Sequence, residues 1–294
     1  MASFPHAELA RRYCVSDAKF RLSKVNPGDT AGLKSKDKAV DASGAAVTAL
    51  CELQELLYAQ NEWSVLLLFQ AMDAAGKDGT IKHVLSGVNP QGCRVATFKA
   101  PSPAELSHDF LWRASNVLPH RGEIGVFNRS YYEEVLVVRV HPEFLEKQGL
   151  PKPLLPKNIW AERFQSINDF ERHLTRSGTV VLKFFLHVSP EEQRKRLLDR
   201  LDEKEKNWKF EKGDLKERKL WGQYMTAYEQ MVQNTATEFA PWYVVPADHK
   251  WFTRLVVSSV VIERMRALGL RVPVLSATEE KEVVAARAAL KART

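Results

Sequence analysis

Apolar residues fall into short unbroken blocks, separated by longer stretches in which they recur every three or four positions. The sharpest block is Ser64-Val-Leu-Leu-Leu-Phe69. A strand apolar at every position needs cover on both faces, which is the setting of a central strand in a parallel sheet. Just before it, Val47, Leu50, Leu53, Leu56 and Leu57 keep helical spacing and predict a helix from about Ala46 to Gln60. The alternation then continues. Helices are predicted from Lys77 to Gly87, Ala104 to Val117, from near Ser130, Ile159 to Leu174, from Glu191, Trp221 to Thr235 and Trp251 to Leu268. Strands are predicted at Arg94–Phe98, Ile124–Phe127, Thr179–Val188 and Trp242–Val245, with Pro151–Pro156 as a loop. Strands alternating with helices predict an α/β doubly wound, mainly parallel sheet. Residues 1–45 are expected as a polar, basic N-terminal arm, 46–270 as one domain, and 271–294 as a tail with a terminal helix from Thr278.

Composition narrows the classes. The 294 residues are 45% hydrophobic and 27% charged, which suits a globular chain. An excess of 43 Lys and Arg over 36 Asp and Glu gives +7, so anionic partners are favoured. No apolar run is long enough to span a membrane, and the first residues lack the apolar core of a secretory leader. Cys14, Cys51 and Cys93 are too few and too far apart for a disulfide framework or a zinc cluster. A cytoplasmic protein is expected, with no membrane or nucleic acid as partner. The basic residues are interleaved with acids, and no nucleic-acid-binding signature is present.

Chemistry concentrates at predicted strand ends. The segment Phe69-Gln-Ala-Met-Asp-Ala-Ala-Gly-Lys-Asp-Gly-Thr80 leaves a buried strand and enters a helix, the setting of a phosphate loop. Backbone N–H groups from Ala74, Ala75, Gly76, Asp78, Gly79 and Thr80 would face an anion there, and Lys77 would add a mobile charge. Ala71 stands where GxxxxGK[ST] has its first glycine, and Asp78 where it has Ser or Thr. Asp73 inside such a loop repels phosphate unless a cation lies between them, so it asks for Mg2+. Asp78 and Thr80 are open between capping the helix and holding a metal-bound water. Lys82 is open between steering phosphate and solvation.

A second strand ends at Asn128-Arg129, on the same sheet edge as the loop. Arg129 could therefore place a guanidinium on a transferring phosphoryl group. Glu133 and Glu134, just beyond, are acceptor-side candidates. Between Glu191 and Leu220, 20 of 30 residues are charged, so most of these must face solvent. Arg196 and Arg200 nevertheless share one helical face, and Trp208-Lys209-Phe210 follows. A mobile charged lid over a phosphate loop is the expectation for about 191–220.

The segments AMDAAGKDGT (Ala71–Thr80), GVNPQG (Gly87–Gly92), FNRSYYEEVLVVRVHP (Phe127–Pro142), EEQRKRLLDR (Glu191–Arg200), NWKF (Asn207–Phe210) and APW (Ala240–Trp242) occur in this order. Together they resemble the polyphosphate kinase 2 family, and Ala71 with Asn128 resembles its class III subgroup, which phosphorylates nucleoside mono- and diphosphates. The resemblance implies a three-layer phosphate-loop kinase fold with a helical lid. It also implies inorganic polyphosphate as reversible phosphoryl donor, Mg2+ or Mn2+ as cofactor, and a homodimer or homotetramer. Asp73 would organise the metal, with Asn128 as a weaker second ligand. Lys77 and Arg129 would bind the transferring phosphate, and Arg196, Arg200 and Lys209 the polyphosphate chain. Two readings compete with this one: an ATP-dependent nucleoside monophosphate kinase on the same fold, and a non-enzymatic nucleic-acid binder.

Overall fold

The computed structural model describes residues 6–33, 36–151, 153, 155, 158–210 and 212–292. Its centre is a six-stranded sheet of β1 (Cys14–Val15), β2 (Ser64–Ala71), β3 (Cys93–Thr97), β4 (Ile124–Asn128), β5 (Thr179–His187) and β6 (Trp242–Pro246). The spatial order is β1-β6-β5-β2-β4-β3. All pairings are parallel except β1 with β6, where Cys14 lies opposite Tyr243 and Val15 opposite Trp242. Every residue of β2 and β6 is buried, as their unbroken apolar runs require.

Helices α1 (His6–Arg12), α2 (Lys36–Gln60), α3 (Lys77–Val84) and α12 (Lys250–Arg266) pack together on one side. On the other side, α8 (Ile159–Arg176) lies against β5 and α11 (Trp221–Thr235). The result is a three-layer α/β/α sandwich. The remaining helices are α4 (Pro103–Leu106), α5 (Trp112–Ser115), α6 (Val137–Val140), α7 (Pro142–Glu146), α9 (Pro190–Asp202), α10 (Lys212–Lys219) and α13 (Ala277–Lys291). Among the described residues, no helix is long and apolar enough to cross a membrane.

Several elements differ from the periodicity reading. Helix α2 starts at Lys36 instead of Ala46. The segment before it includes α1, pinned to α12 by a buried 2.8 Å bond between His6 Nδ1 and Ser259 Oγ, and the edge strand β1. The single helix expected from Ala104 to Val117 is two short ones. Asp109 Oδ1 accepts the N–H of Leu111 at 2.9 Å, and this local turn competes with helix continuation. The helix expected near Ser130 is a 3-10 turn, Tyr131–Val135, followed by α6 and α7. Part of the Pro151–Pro156 loop lies outside the described residues. In α13 no residue is buried.

Beneath the site, Lys183 on β5 is fully buried and is matched by Glu171 of α8 at 2.6 Å. Glu171 also accepts the hydroxyls of Tyr131 and Tyr132 at 2.9 and 2.7 Å, while Lys183 donates to the Thr235 carbonyl at 2.6 Å. A buried charge pair is tolerable only when its remaining valences are filled, as they are here. The network ties the turn after β4 to α8 and β5.

His187, at the end of β5, is held neutral by burial, which lowers its pKa from 6.5 to about 4 against the opposing pull of Asp248. The unfolded imidazole takes up its proton near pH 6.5, the folded one only near 4. Folding stability should therefore fall, by up to about 3 kcal/mol, as pH drops through that window. Urea titrations of His187→Leu across the same range should lack this part of the slope.

Candidate active site

Strand β2 delivers the loop Met72–Gly76 to the sheet's carboxyl edge, and α3 begins at Lys77. The turn requires two left-handed residues, Ala74 at φ 61° and Gly76 at φ 104°. Glycine adopts this region freely; alanine does so only when its surroundings hold it there. The loop carbonyls are occupied. Lys77 Nζ donates to Ala71 at 3.0 Å, the Ala75 N–H to Met72 at 3.2 Å, and Thr80 Oγ1 to Gly76 at 3.0 Å. The Thr80 N–H, expected to face an anion, instead donates to the Gly76 carbonyl at 3.0 Å, whereas those of Lys77, Asp78 and Gly79 in the first turn of α3 lack an intrahelical acceptor, which suits them to an anion.

Strand β4 lies beside β2, with Asn128 opposite Phe69, so Arg129 emerges next to the loop. Arg129 is also left-handed, at φ 62°. Its N–H donates to the Phe69 carbonyl at 3.1 Å, and the Tyr131–Tyr132–Glu171–Lys183 network anchors the turn that follows it. Its Nη2 donates to Asp73 Oδ1 at 3.0 Å, and its Nη1 lies 3.6 Å from Glu133 Oε2. These two carboxylates hold the guanidinium firmly charged. Burial raises the Glu133 carboxyl, against the pull of Arg129 and Lys77. Oriented to satisfy both neighbours, the Gln70 amide donates to Glu133 Oε1 at 2.8 Å and accepts the Ser130 N–H at 3.1 Å. Burial and the nearby Arg129 lower the Lys77 pKa, partly offset by Asp73, Glu133 and Asp78.

Asn128 Nδ2 donates to Asp78 Oδ1 at 2.8 Å. An aspartate at 128 would set two carboxylates against each other, whereas the amide bridges to Asp78 and leaves its own oxygen as an acceptor.

Three cavities meet at Arg129, the smallest of them, about 220 Å3, lying beside Asp73, Glu133, Tyr224 and Tyr228. The first, about 630 Å3, is lined by the loop from Asp73 to Thr80, by Lys99, Asn128, Arg129, Arg196 and Arg200, and by Lys250 and Arg254 of α12. The second, about 450 Å3, runs from Arg129, Glu133 and Glu134 past Phe110, Arg113, Phe144 and Arg163. Glu134 is buried in its wall, paired with Arg163 at 3.1 Å and accepting from Gln148 at 3.0 and 2.8 Å.

The sequence-derived site residues divide accordingly. Asp73, Ala74, Ala75, Gly76, Lys77, Asp78, Gly79, Thr80, Asn128, Arg129 and Arg200 come together around the first cavity. Lys82 is exposed on α3 and is not among its lining residues. The side chain of Lys209 lies outside the described residues. Arg196, expected as a chain-binding lid arginine, also lines the first cavity, with its donors turned to the protein itself. It is only 5% exposed, and its donors go to Glu192, to the carbonyls of Ala74 and Ala75, and to those of Ala247 and Asp248. Arg200 borders the cavity and reaches Asp214 at 3.3 Å. Sequence reasoning missed Lys99, Lys250 and Arg254. Lys250 and Arg254 are four apart at the start of a helix that follows a strand, and this same strand-end logic could have found them. The aromatic wall of the second cavity carried no such signal.

A parallel α/β/α sheet with a phosphate loop, a neighbouring strand-end arginine and a basic cavity defines a phosphate-loop protein built for phosphorylated ligands. The chain matches the family described as polyphosphate kinase 2 (PPK2) over residues 33–269. It is 53% identical over 255 residues to the ADP-polyphosphate phosphotransferase of Rhodopseudomonas palustris, covering 86% of this chain and 88% of that one. It is 46% identical over 276 residues to the AMP/ADP-polyphosphate phosphotransferase of Meiothermus ruber, covering 93% and 99%. The crystal structure of polyphosphate kinase 2 from Arthrobacter aurescens TC1 superposes with a TM-score of 0.85 at 39% identity, covering 94% of this chain and 96% of that one. The chain belongs to the polyphosphate kinase 2 family.

Proposed function

We propose that this protein transfers a phosphoryl group reversibly from inorganic polyphosphate to nucleoside mono- and diphosphates, AMP to ADP and ADP to ATP. The observation that carries the reading is the position of Arg129. It lines the first cavity and the second, and Asp73 of the phosphate loop holds it at 3.0 Å. The donor chain lies in the first cavity, where Lys77, Lys99, Arg200, Lys250 and Arg254 supply the distributed positive charge that a polyanion requires. The acceptor lies in the second, with its base against Phe110 and Phe144 and its phosphate at Arg129. The names of the relatives, ADP- and AMP/ADP-polyphosphate phosphotransferase, support the same substrates.

The chemistry asks for positioning and charge more than for covalent help. Arg129 orients the group passing between the cavities, Lys77 neutralises its oxygens, and the α3 N-terminus holds the donor end. Among the described residues no cluster of three or more His, Cys, Asp or Glu could cage a metal. Mg2+ is commonly held by one or two protein oxygens together with substrate phosphates, and Asp73, with Asn128 and Asp78 beside it, fits that mode. Bound there, Mg2+ or Mn2+ would neutralise charge between donor and acceptor. The free cysteines Cys14, Cys51 and Cys93 suit the cytoplasm, and a homodimer or homotetramer is the assembly we propose.

The test supplies AMP or ADP with long-chain polyphosphate and Mg2+, and separately AMP with ATP, and separates the products by anion exchange. ADP and ATP should form from AMP with no ATP supplied. Transfer from ATP alone would instead make the protein a nucleoside monophosphate kinase.

A further inference from the structure

The middle of the phosphate loop is held from outside by one lid helix. Gln193 Nε2 donates to the Asp73 carbonyl at 3.0 Å, and Arg196 Nη1 to those of Ala74 and Ala75 at 3.2 and 2.7 Å. Both side chains are buried on α9, at 1% and 5% exposure. The Gln193 amide cannot turn over freely, because Arg218 of α10 donates to its Oε1 at 2.7 Å and to the Pro190 carbonyl at 2.9 Å. The second guanidinium nitrogen of Arg196 donates to Ala247 and Asp248 at 2.6 and 3.0 Å, so this side chain also joins the loop to the turn before α12.

In a trans peptide the carbonyl and the following N–H point in opposite directions. Three consecutive carbonyls drawn toward α9 therefore turn the N–H groups of Ala74, Ala75 and Gly76 away from it. That of Ala75 closes the turn onto Met72, and those of Ala74 and Gly76 remain for an anion. Released from α9, the same peptides could rotate and present carbonyl oxygens to phosphate, which repel it. Ala74 adds a second reason for restraint, since a non-glycine residue at φ 61° persists only where its neighbours over-determine it.

We infer that Gln193 and Arg196 are positioning residues that set the polarity of the phosphate loop, acting through its carbonyls without touching phosphate. Lid docking and donor binding are then one event. This rests on the proposed placement of the donor chain at the loop.

Inorganic tripolyphosphate, measured by titration calorimetry on the full chain, is the probe for the donor site, and AMP is the control for the second cavity. Gln193→Met keeps the volume and changes no charge. It should weaken tripolyphosphate binding about tenfold, the effect of a hydrogen bond lost from a buried carbonyl, and leave AMP affinity unchanged. Arg196→Lys keeps the charge but cannot span the same carbonyls, and it should show the same selective loss. Tripolyphosphate bound by Gln193→Met at wild-type affinity, or an equal loss for both ligands, overturns the inference. Retention of affinity in Arg196→Lys makes that residue a simple charge and overturns its half. A wild-type protein that binds AMP but not tripolyphosphate overturns the placement of the donor, and this inference with it.

Discussion

Asp73→Asn should lower turnover with polyphosphate and AMP by about a thousandfold, the scale lost when a charge that organises phosphoryl transfer is removed. The substitution preserves shape, and an asparagine oxygen can still accept the 3.0 Å bond from Arg129. What disappears is the negative charge, and with it the ionic part of the hold on Arg129 and the attraction for a cation. The same change has an opposite effect on binding. Without divalent metal, the carboxylate repels the donor chain, so Asp73→Asn should bind tripolyphosphate more tightly than wild type in a chelating buffer. With Mg2+ present, wild type should bind at least as tightly as the variant. Calorimetry in the two buffers checks the sign, and a variant as active as wild type would remove Asp73 from the reaction.

Arg129→Lys should cost about a hundredfold to a thousandfold in kcat, and Arg129→Ala more. Arg129 reaches Asp73 through one terminal nitrogen and Glu133 through the other, at 3.0 and 3.6 Å. A lysine ammonium is a single point and cannot hold both carboxylates while facing a phosphoryl group. The alanine variant also leaves Glu133 buried without its main cation. Its carboxyl, already raised by burial, should rise further and take up a proton at higher pH. Steady-state kinetics with AMP at saturating polyphosphate measures the loss. An Arg129→Lys enzyme within a few-fold of wild type would mean that only the charge matters there.

Both residues were legible in the sequence for the same reason. A parallel sheet opens its strand ends on one edge, and two segments that end apolar strands with Asp73–Lys77 and with Asn128-Arg129 must meet there. The bond between Asn128 and Asp78 was not legible, because it joins residues 50 positions apart through a register that only adjacent β2 and β4 create. Arg196 shows the limit most clearly. Its place on a charged helix near the loop was readable, but its part in the site was not. Whether an arginine turns its donors toward a ligand or toward the protein's own carbonyls depends on burial, and local composition does not record burial. The short helices near Asp109 were missed because a single side-chain acceptor outweighed helical spacing.

Periodicity, apolar runs and the glycine-lysine turn are properties of neighbouring residues, so the chain states its own strands, helices, sheet class and phosphate loop. Sheet order is different in kind. Placing β2 between β5 and β4, and α12 beside the loop, brings Lys99, Lys250 and Arg254 to one cavity and Phe110, Phe144 and Arg163 to another. Those arrangements come from contacts between distant segments, each favoured by the apolar surface it buries and by the polar groups it can satisfy. The identity of the loop was thus local, while the faces it shows to donor and lid were settled by packing.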